Sequence, residues 1–207
     1  MKKAFLHALL LSAVLSTAAP SAMAIEEPRH TLVQKLDGIE IRDYAPYIVA
    51  EVQVPGPAEQ AGNQGFRYLG GYIFGRNKGE RKIAMTAPVT QTAAEPVKIA
   101  MTAPVTQAAS DNGFRVQFMM PSSFTLDTLP EPLDPQVQLR EVPGARYAVI
   151  RYSGTWSQAN YEEHLQKLRS TLQRHQMATE GEPIYSRYDA PFMPWFLRRN
   201  EIWLKLP

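Results

Sequence analysis

Hydrophobic and polar residues alternate along a first stretch of the chain, and this alternation predicts β-strands. Ile39 and Ile41 share one face, a turn is expected at residues 44–46, and alternation resumes from Ile48 to Val54. A period of two residues is the signature of a strand with one buried face. The pattern therefore predicts a half-buried β-hairpin, which ends at the Pro-Gly-Pro of residues 55–57.

Two later stretches show the spacing of amphipathic helices. Residues 58–74 bring Leu69 and Ile73 to one side, and a glycine follows directly. In the second stretch, Tyr161 is followed by three leucines at helical spacing. Ser157 stands where an N-capping residue is expected. We therefore predict two helices, one in each half of the chain.

The strand pattern of the first half recurs in the second half. The stretch IEIRDYAPYIVAEVQV aligns with VQLREVPGARYAVIRYSG, which has two extra residues in its turn. Each copy precedes one helix and then further strands, expected at residues 183–188 and 201–206 in the second half. The predicted fold class is α+β: a distorted antiparallel sheet or barrel with two helices, built from two pseudo-symmetric β-β-α-β-β halves.

The first 24 residues have the pattern of a secretory signal peptide. Two lysines precede an apolar run that is too short for a membrane span, and Ala22-Met23-Ala24 matches an A-x-A cleavage site. We expect cleavage after Ala24, a single domain over residues 25–207, and a periplasmic or secreted location. Residues 25–34 are polar and are expected to form a loose segment.

Charge and composition exclude several classes of protein. The chain has 22 Lys and Arg against 20 Asp and Glu, and the two lysines of the signal peptide account for the excess. A neutral domain without a basic run does not suit nucleic acid, which requires clustered cations. There is no cysteine, G-x-S-x-G motif or phosphate loop, so we do not predict an enzyme. We expect a monomer without stable membrane insertion once the signal peptide is removed.

Several stretches resemble one family, the SOUL/heme-binding proteins. They are IEIRDYAPYIVAEV, GFRYLGGYIFGRN leading into KIAMTAPV, FRVQFMMPSSFTLDTLPEP and YDAPFMPWFLRRNEIWL, in family order over nearly the whole of residues 25–207. The chain is identified as a bacterial, secreted member. The resemblance implies a fold of two similar halves, related to effector-binding domains that hold lipophilic ligands. It also implies non-covalent binding of haem or another tetrapyrrole in an apolar cleft beside the first helix.

This resemblance directs the search for a binding site to the first helix. There, Gly70 and Gly71 either allow close packing on the sheet or leave room for a flat ligand. The apolar segment 190–201 is either packed under the barrel or lines the cleft. Arg76 and Lys78 are further cations that can pair with haem propionates. The candidate tetrapyrrole-binding residues are Phe66, Arg67, Leu69, Tyr72, Ile73, Met85, Phe192, Trp195 and Arg198.

The sequence does not assign an axial ligand for haem iron. In one vertebrate branch of the family, a histidine in an EIRHY-type stretch is the proposed ligand, but Asp43 stands there in this chain. A carboxylate is a poor substitute for imidazole on haem iron. His30 and His164 are weak candidates, because a neutral imidazole can bind iron singly.

The ten residues KIAMTAPVTQ occur twice, at residues 82–91 and 98–107. Each copy predicts a short strand, with Ile83 and Met85 on one side in the first copy. One interpretation is a duplication inside a hairpin, which lengthens a connection at little cost. The other is a flap over the cleft, with Met85 and Met101 both facing a ligand.

Two other functions remain open beside tetrapyrrole binding. One is binding of another lipophilic small molecule, and a cationic ligand of this kind would need an acid in the cleft, for which Glu51 or Glu201 is suited. The other is an enzyme whose acid–base residues form no recognisable motif.

Overall fold

The computed structural model describes residues 25–93, 113–190 and 192–207. Within these ranges, nine strands form one antiparallel sheet, and two α-helices pack against it. The strands are β1 (His30–Leu36), β2 (Ile39–Tyr44), β3 (Tyr47–Val54), β4 (Val89–Ala93), β5 (Phe114–Met119), β6 (Gln138–Val142), β7 (Ala145–Tyr152), β8 (Glu180–Arg187) and β9 (Asn200–Lys205). The helices are α1 (Ala58–Ile73) and α2 (Gln158–Arg174), and a 3-10 turn covers Trp195–Leu197. The second copy of the repeated decamer, with Met101, lies outside the described residues.

The order of the strands confirms the predicted organisation in two halves. The sheet runs β1-β2-β7-β9-β8-β4-β5-β3-β6. The strands β2, β3, β4 and β5 correspond to β6, β7, β8 and β9, in that order. When each strand is replaced by its counterpart, the strand order from β2 to β6 is reversed and every pair of neighbouring strands is kept. Each half is therefore β-β-α-β-β, the pseudo-twofold axis passes between β4 and β8, and β1 is an addition beside β2.

The predicted β-hairpin is wrong in its pairing, although both of its strands exist. β2 pairs with β1 and β7, whereas β3 pairs with β5 and β6. Only Ala45 and Pro46 join the two strands, and so short a link spans about 10 Å. The two ends of the sheet must therefore lie close together, which curls the sheet into a distorted barrel. Alternation could not predict the partners, because it shows which face is buried and not which strand is the neighbour.

The expectation of a loose segment over residues 25–34 is wrong for its second part. Strand β1 begins at His30 and pairs antiparallel with β2 as far as Leu36. Its side chains are almost all exposed, so the strand carries no alternating pattern. Backbone hydrogen bonds to β2, rather than burial of side chains, hold it in place.

Both helix predictions are confirmed, and each helix covers its own apolar core. α1 packs on β3, β4 and β5, with Leu69 and Ile73 buried beneath it. α2 packs on β7 and β9 through the predicted stripe, from Tyr161 to Leu172. The Ser157 hydroxyl accepts a hydrogen bond from the backbone N–H of Asn160, as expected of an N-cap. None of the helices in the described ranges is long and apolar enough to cross a membrane.

A third cluster lies on the face of the sheet that points away from α2. Successive side chains of a strand point to opposite faces, so the strands that bury leucine and isoleucine under α2 present different residues here. Tyr44, Tyr147, Val149 and Trp203 pack together, with the Tyr44 and Trp203 rings stacked at 4.6 Å between centroids. This aromatic cluster adjoins the buried charges that are described below.

Candidate functional site

A cavity of about 390 Å³ lies where the two halves of the sheet meet. Val89 in β4 pairs with Arg187 in β8 across the pseudo-twofold axis, and both residues line it. The rest of the wall includes α1 around Gly62, Trp156 before α2, and the chain after β8. The volume falls within the range of small-molecule binding sites. The fold thus builds a pocket beside the first helix from segments that are distant in sequence.

Three of the predicted binding residues line this cavity, namely Phe66, Met85 and Phe192. Phe66 projects from α1 and contacts the ring of Phe118 edge-on, with 5.4 Å between centroids. Met85 does not belong to a strand, so the short strand predicted for the repeated decamer is wrong here. Ile83 is 4% exposed in the core whereas Met85 is 41% exposed on the cavity wall, so the two side chains do not share one environment.

Three other candidates on α1 belong to the core. Leu69, Tyr72 and Ile73 are buried against the sheet, and none of them lines the cavity. The Tyr72 hydroxyl donates a hydrogen bond of 2.8 Å to the carbonyl oxygen of Pro130, and burial raises the pKa of Tyr72 to about 12. An apolar helical stripe looks the same in a sequence whether it faces a core or a ligand.

The glycines that shape the cavity region are not the predicted pair. A Cβ at Gly70 would lie 3.1 Å from the Phe66 ring, and one at Gly71 would lie 3.1 Å from the Arg76 side chain, so the chain itself covers both positions. On α1 the closest approaches occur at Gly62 and Gly65, where a Cβ would lie 2.4 Å and 2.5 Å from neighbouring side chains. The close approach predicted for α1 therefore occurs nearer its N-terminus.

The cations predicted to meet propionates lie elsewhere on α1 and beyond it. Arg67 and Arg76 line a separate, polar groove together with Tyr68. The Nζ atom of Lys78 lies 2.5 Å from the carboxylate of Glu131. None of these three cations lines the apolar cavity.

The apolar segment that follows β8 lies at the surface rather than under the barrel. Phe192 is 88% exposed, and Trp195 is also exposed within the 3-10 turn. Of these two residues, Phe192 lines the cavity. Arg198 donates from Nε to the carbonyl oxygen of Met193 at 2.8 Å, and its guanidinium carbon lies 4.4 Å from the centroid of the Trp156 ring. Arg198 therefore contacts the wall residue Trp156 without lining the cavity itself.

Neither candidate histidine lines the cavity. His30 lies in β1, with its ring centroid 4.9 Å from that of Tyr44. His164 stacks on Tyr152 at 4.2 Å, and its Nδ1 lies 2.8 Å from the carbonyl oxygen of Asn160. Within the described ranges, no group of three or more histidine, cysteine or acidic residues is arranged to hold a metal ion.

Glu201 is a fully buried carboxylate with a complete set of partners. It is 0% exposed and accepts hydrogen bonds from Arg42, Arg199, the Tyr188 hydroxyl and the Trp203 indole, at 2.8–3.3 Å. Burial alone would raise its pKa, but the two guanidinium groups hold the pKa of Glu201 below its ordinary value. Tyr188 also lines the cavity, so this network braces one part of the wall.

Glu51 is also paired with an arginine. Its Oε2 accepts hydrogen bonds from Nε and Nη2 of Arg140 at 3.1 Å and 3.0 Å, and from Gln117 at 2.7 Å. Burial opposes ionisation, but these hydrogen bonds keep the pKa of Glu51 below its ordinary value. Neither of the two acids considered for a cationic ligand is therefore free of a cation.

Sequence reasoning missed two prominent residues of the cavity wall, Trp156 and Arg187. The Trp156 indole donates to Asn200 at 2.8 Å, and the guanidinium carbon of Arg187 lies 4.5 Å from the centroid of the Trp156 ring. The available signal was an arginine that directly follows Ile184, Tyr185 and Ser186 at the end of a predicted strand. The sequence could not place this arginine beside α1. The two come together only because β8 pairs with β4, and these strands belong to different halves of the chain.

An antiparallel sheet built from two pseudo-symmetric halves, each of which carries one helix, defines an α+β fold of the effector-binding type. The crystal structure of the EcmrR C-terminal domain has a TM-score of 0.58 with this chain, at 10% sequence identity, covering 82% of this chain and 96% of that domain. A hydrolase encoded by lin2189 from Listeria innocua has a TM-score of 0.58 at 8% identity, covering 84% of this chain and 94% of that one. These similarities concern the fold alone.

The chain belongs to the SOUL heme-binding protein family, whose model matches residues 25–205. It is similar to Heme-binding protein 2 of Homo sapiens, with 29% identity over 167 residues, which cover 80% of this chain and 76% of that protein. The family resemblance expected from the sequence motifs is confirmed.

Proposed function

We propose that this protein binds haem or a related tetrapyrrole, non-covalently and without catalysis, in the 390 Å³ cavity between its two halves. The observation that carries the proposal is the wall of that cavity. This chain belongs to the SOUL heme-binding family, and its residues Phe66, Met85 and Phe192 converge beside α1 from three separate segments.

Binding in this cavity rests on burial of the macrocycle. Phe192 and Met85 expose apolar surface that a flat ligand would cover, and each Å² of apolar surface removed from water contributes about 25 cal/mol. The described wall includes no histidine, so iron coordination by imidazole is not required. Haemin and metal-free protoporphyrin should therefore bind with similar affinity.

A cationic ligand is less well supported than a tetrapyrrole. Glu201 and Glu51 already accept hydrogen bonds from arginines, so neither offers an unpaired negative charge. Catalysis also lacks support from the described wall. Burial and the nearby Glu201 carboxylate raise the pKa of the Tyr188 hydroxyl, so it is not a general base at neutral pH. The Asp189 carboxylate on the wall accepts the backbone N–H of Arg199 and belongs to no recognisable catalytic arrangement.

The site of action that we propose is the periplasm or the exterior of the cell. The support is the signal-peptide pattern of residues 1–24, since Ile25 would then begin the mature chain. Ile25 lines the cavity, so cleavage after Ala24 would leave its amino group beside the binding site. Sequencing of the N-terminus of the exported protein tests this, and an intact N-terminus would contradict it.

The test of binding is an absorbance titration of the protein from residue 25 onward with haemin and with metal-free protoporphyrin. Albumin serves as the nonspecific control. We expect saturation at one ligand per chain for both compounds. Saturation by haemin alone would indicate iron coordination instead, and the absence of saturation with either would contradict tetrapyrrole binding.

A matched pair of variants locates the site. Met85→Asp introduces a charge into the cavity wall, whereas Leu133→Asp introduces the same charge at an exposed apolar residue away from it. We expect weaker binding only for Met85→Asp. Equal affinities for the two variants would place the ligand elsewhere.

A further inference from the structure

Arg187 is a buried arginine that has no acidic partner among the described residues. Its side chain lies on the cavity wall and is 6% exposed. The Nε atom donates a hydrogen bond of 3.1 Å to the Tyr161 hydroxyl, but Nη2 is buried and has no hydrogen-bond partner. Arg42 and Arg199, by contrast, form ion pairs with Glu201, and none of the ion pairs among the described residues includes Arg187.

The guanidinium of Arg187 is held in place by its surroundings. Its central carbon lies 4.5 Å from the centroid of the Trp156 ring. On the other side is α1, where a Cβ at position 62 would lie 2.4 Å from Nη1 and 3.0 Å from Cζ. Only glycine at position 62 leaves room for the guanidinium in this position. The group is therefore pre-organised at the cavity rather than free to move into solvent.

The remainder of the wall does not neutralise this charge. Asp189 provides the other charged side chain among the residues described on the wall, but it forms no ion pair with Arg187, and its Oδ2 accepts the backbone N–H of Arg199 at 2.5 Å. A buried charge without a partner is strongly unfavourable, whereas a carboxylate can accept two parallel hydrogen bonds from a guanidinium. An anionic group of a ligand in the cavity would supply the ion-pair partner that Arg187 lacks among the described residues.

We infer that Arg187 recognises the acidic group of the ligand, so that the cavity selects lipophilic carboxylates over neutral molecules of the same shape. This inference rests on the proposed function for the location of the ligand, and it adds the chemical class of the ligand. A tetrapyrrole would enter with a propionate directed at the guanidinium of Arg187, and its macrocycle would lie against Phe66, Met85 and Phe192.

The first test compares protoporphyrin with its dimethyl ester, which has the same macrocycle without carboxylates. Wild-type protein should bind the free acid about tenfold more tightly or better, as expected for hydrogen bonds to a charged group. Arg187→Met should weaken binding of the acid to the level of the ester and leave the ester unchanged. Arg151→Met removes an exposed arginine of β7 away from the cavity and should change neither affinity.

Two results would overturn the inference. One is equal affinity of wild-type protein for acid and ester, and the other is a parallel loss of both ligands in Arg187→Met. Arg187→Lys provides the test if Arg187→Met does not fold, because lysine keeps the charge and loses the planar fork. We expect Arg187→Lys to retain a smaller preference for the acid, and a preference equal to that of wild type would contradict recognition by the fork.

A second pair of probes separates this inference from the proposed function. 1-Anilinonaphthalene-8-sulfonate is anionic, and N-phenyl-1-naphthylamine has the same aromatic skeleton without the charge. If porphyrins do not bind but the sulfonate is preferred in a manner that depends on Arg187, tetrapyrrole binding fails and the anion site stands. If porphyrins saturate the protein without preference for the acid, the anion site fails and tetrapyrrole binding stands.

Discussion

α1 and α2 occupy equivalent places in the two halves, but they cover the sheet in different ways. α2 contains no glycine, and its stripe of Tyr161, Leu168 and Leu172 is buried over β7 and β9. α1 contains four glycines, and at Gly62 and Gly65 other side chains approach its backbone closely. α2 therefore covers its core without lining the cavity, whereas α1 forms part of the cavity wall.

The architecture and the site therefore depend on different features of the same repeat. The shared strand and helix pattern determines the sheet order, which is symmetric about the axis between β4 and β8. The cavity depends on departures from that symmetry, namely Gly62 of α1 and the arginine that ends β8. Function on a common fold resides in such local departures.

The largest effect that we predict concerns the acidic partners of two equivalent arginines. Arg42 in β2 and Arg140 in β6 align in the repeat, but Arg42 pairs with the buried Glu201, whereas Arg140 is 42% exposed at the side chain and pairs with Glu51. Glu201→Gln should lower the free energy of unfolding by about 3–5 kcal/mol, because two arginines then lose their carboxylate. Glu51→Gln should cost about 1 kcal/mol or less. Urea unfolding measures both, and equal losses would contradict the distinction.

The second prediction compares α2, which covers its core, with α1, which lines the cavity. Leu168→Ala in α2 removes a fully buried side chain and should cost about 2–5 kcal/mol. Phe66→Ala in α1 removes a partly exposed side chain and should cost about 1 kcal/mol, mainly through its contact with Phe118. Only Phe66→Ala should weaken porphyrin binding. A stability loss for Phe66→Ala as large as that of Leu168→Ala would mean that Phe66 belongs to the core.

The third prediction separates the glycines of α1 by what lies next to them. Gly65→Ala places a Cβ 2.5 Å from Val116, a branched residue of the sheet core, and should destabilise by about 1–3 kcal/mol. Gly71→Ala meets the long and movable side chain of Arg76 and should stabilise by up to about 1 kcal/mol through helix propensity. Thermal unfolding of both variants is the measurement. Stabilisation by Gly65→Ala would show that α1 is not closely packed there.

The smallest predicted effect is on the pH dependence of stability. Because the pKa of Glu201 is lowered in the folded state, its contribution is fully present above its unfolded pKa of 4.5 and is lost as pH falls through the folded pKa. The free energy of unfolding should therefore decrease below pH 4.5, and less steeply in Glu201→Gln than in wild type. Parallel slopes for the two proteins in acid would contradict a lowered pKa at this residue.

Local patterns were sufficient to predict much of the fold. The stripe of α2, its cap at Ser157 and the strands on both sides of each helix follow from residues that are close in sequence. Strand partners do not, because β2 and β3 are joined by two residues and yet pair at opposite ends of the sheet. β1 was missed for a related reason, since an exposed edge strand has no alternation to detect.

The candidate site was predictable only in part, and for the same reason. Phe66, Met85 and Phe192 lie in apolar segments that the family motifs single out, whereas Leu69, Tyr72 and Ile73 share those features and face the core. Trp156 and Arg187 reach the cavity because β8 pairs with β4, which is a contact between halves. A helical or strand period cannot report such a contact.

The most direct test of the account is a crystal structure of the protein with metal-free protoporphyrin bound. We predict that the macrocycle lies between α1 and the chain after β8, in contact with Phe66 and Met85, and that one propionate lies within hydrogen-bonding distance of Arg187. A porphyrin bound instead in the polar groove beside Arg67 and Arg76 would contradict the assignment of the cavity as the binding site.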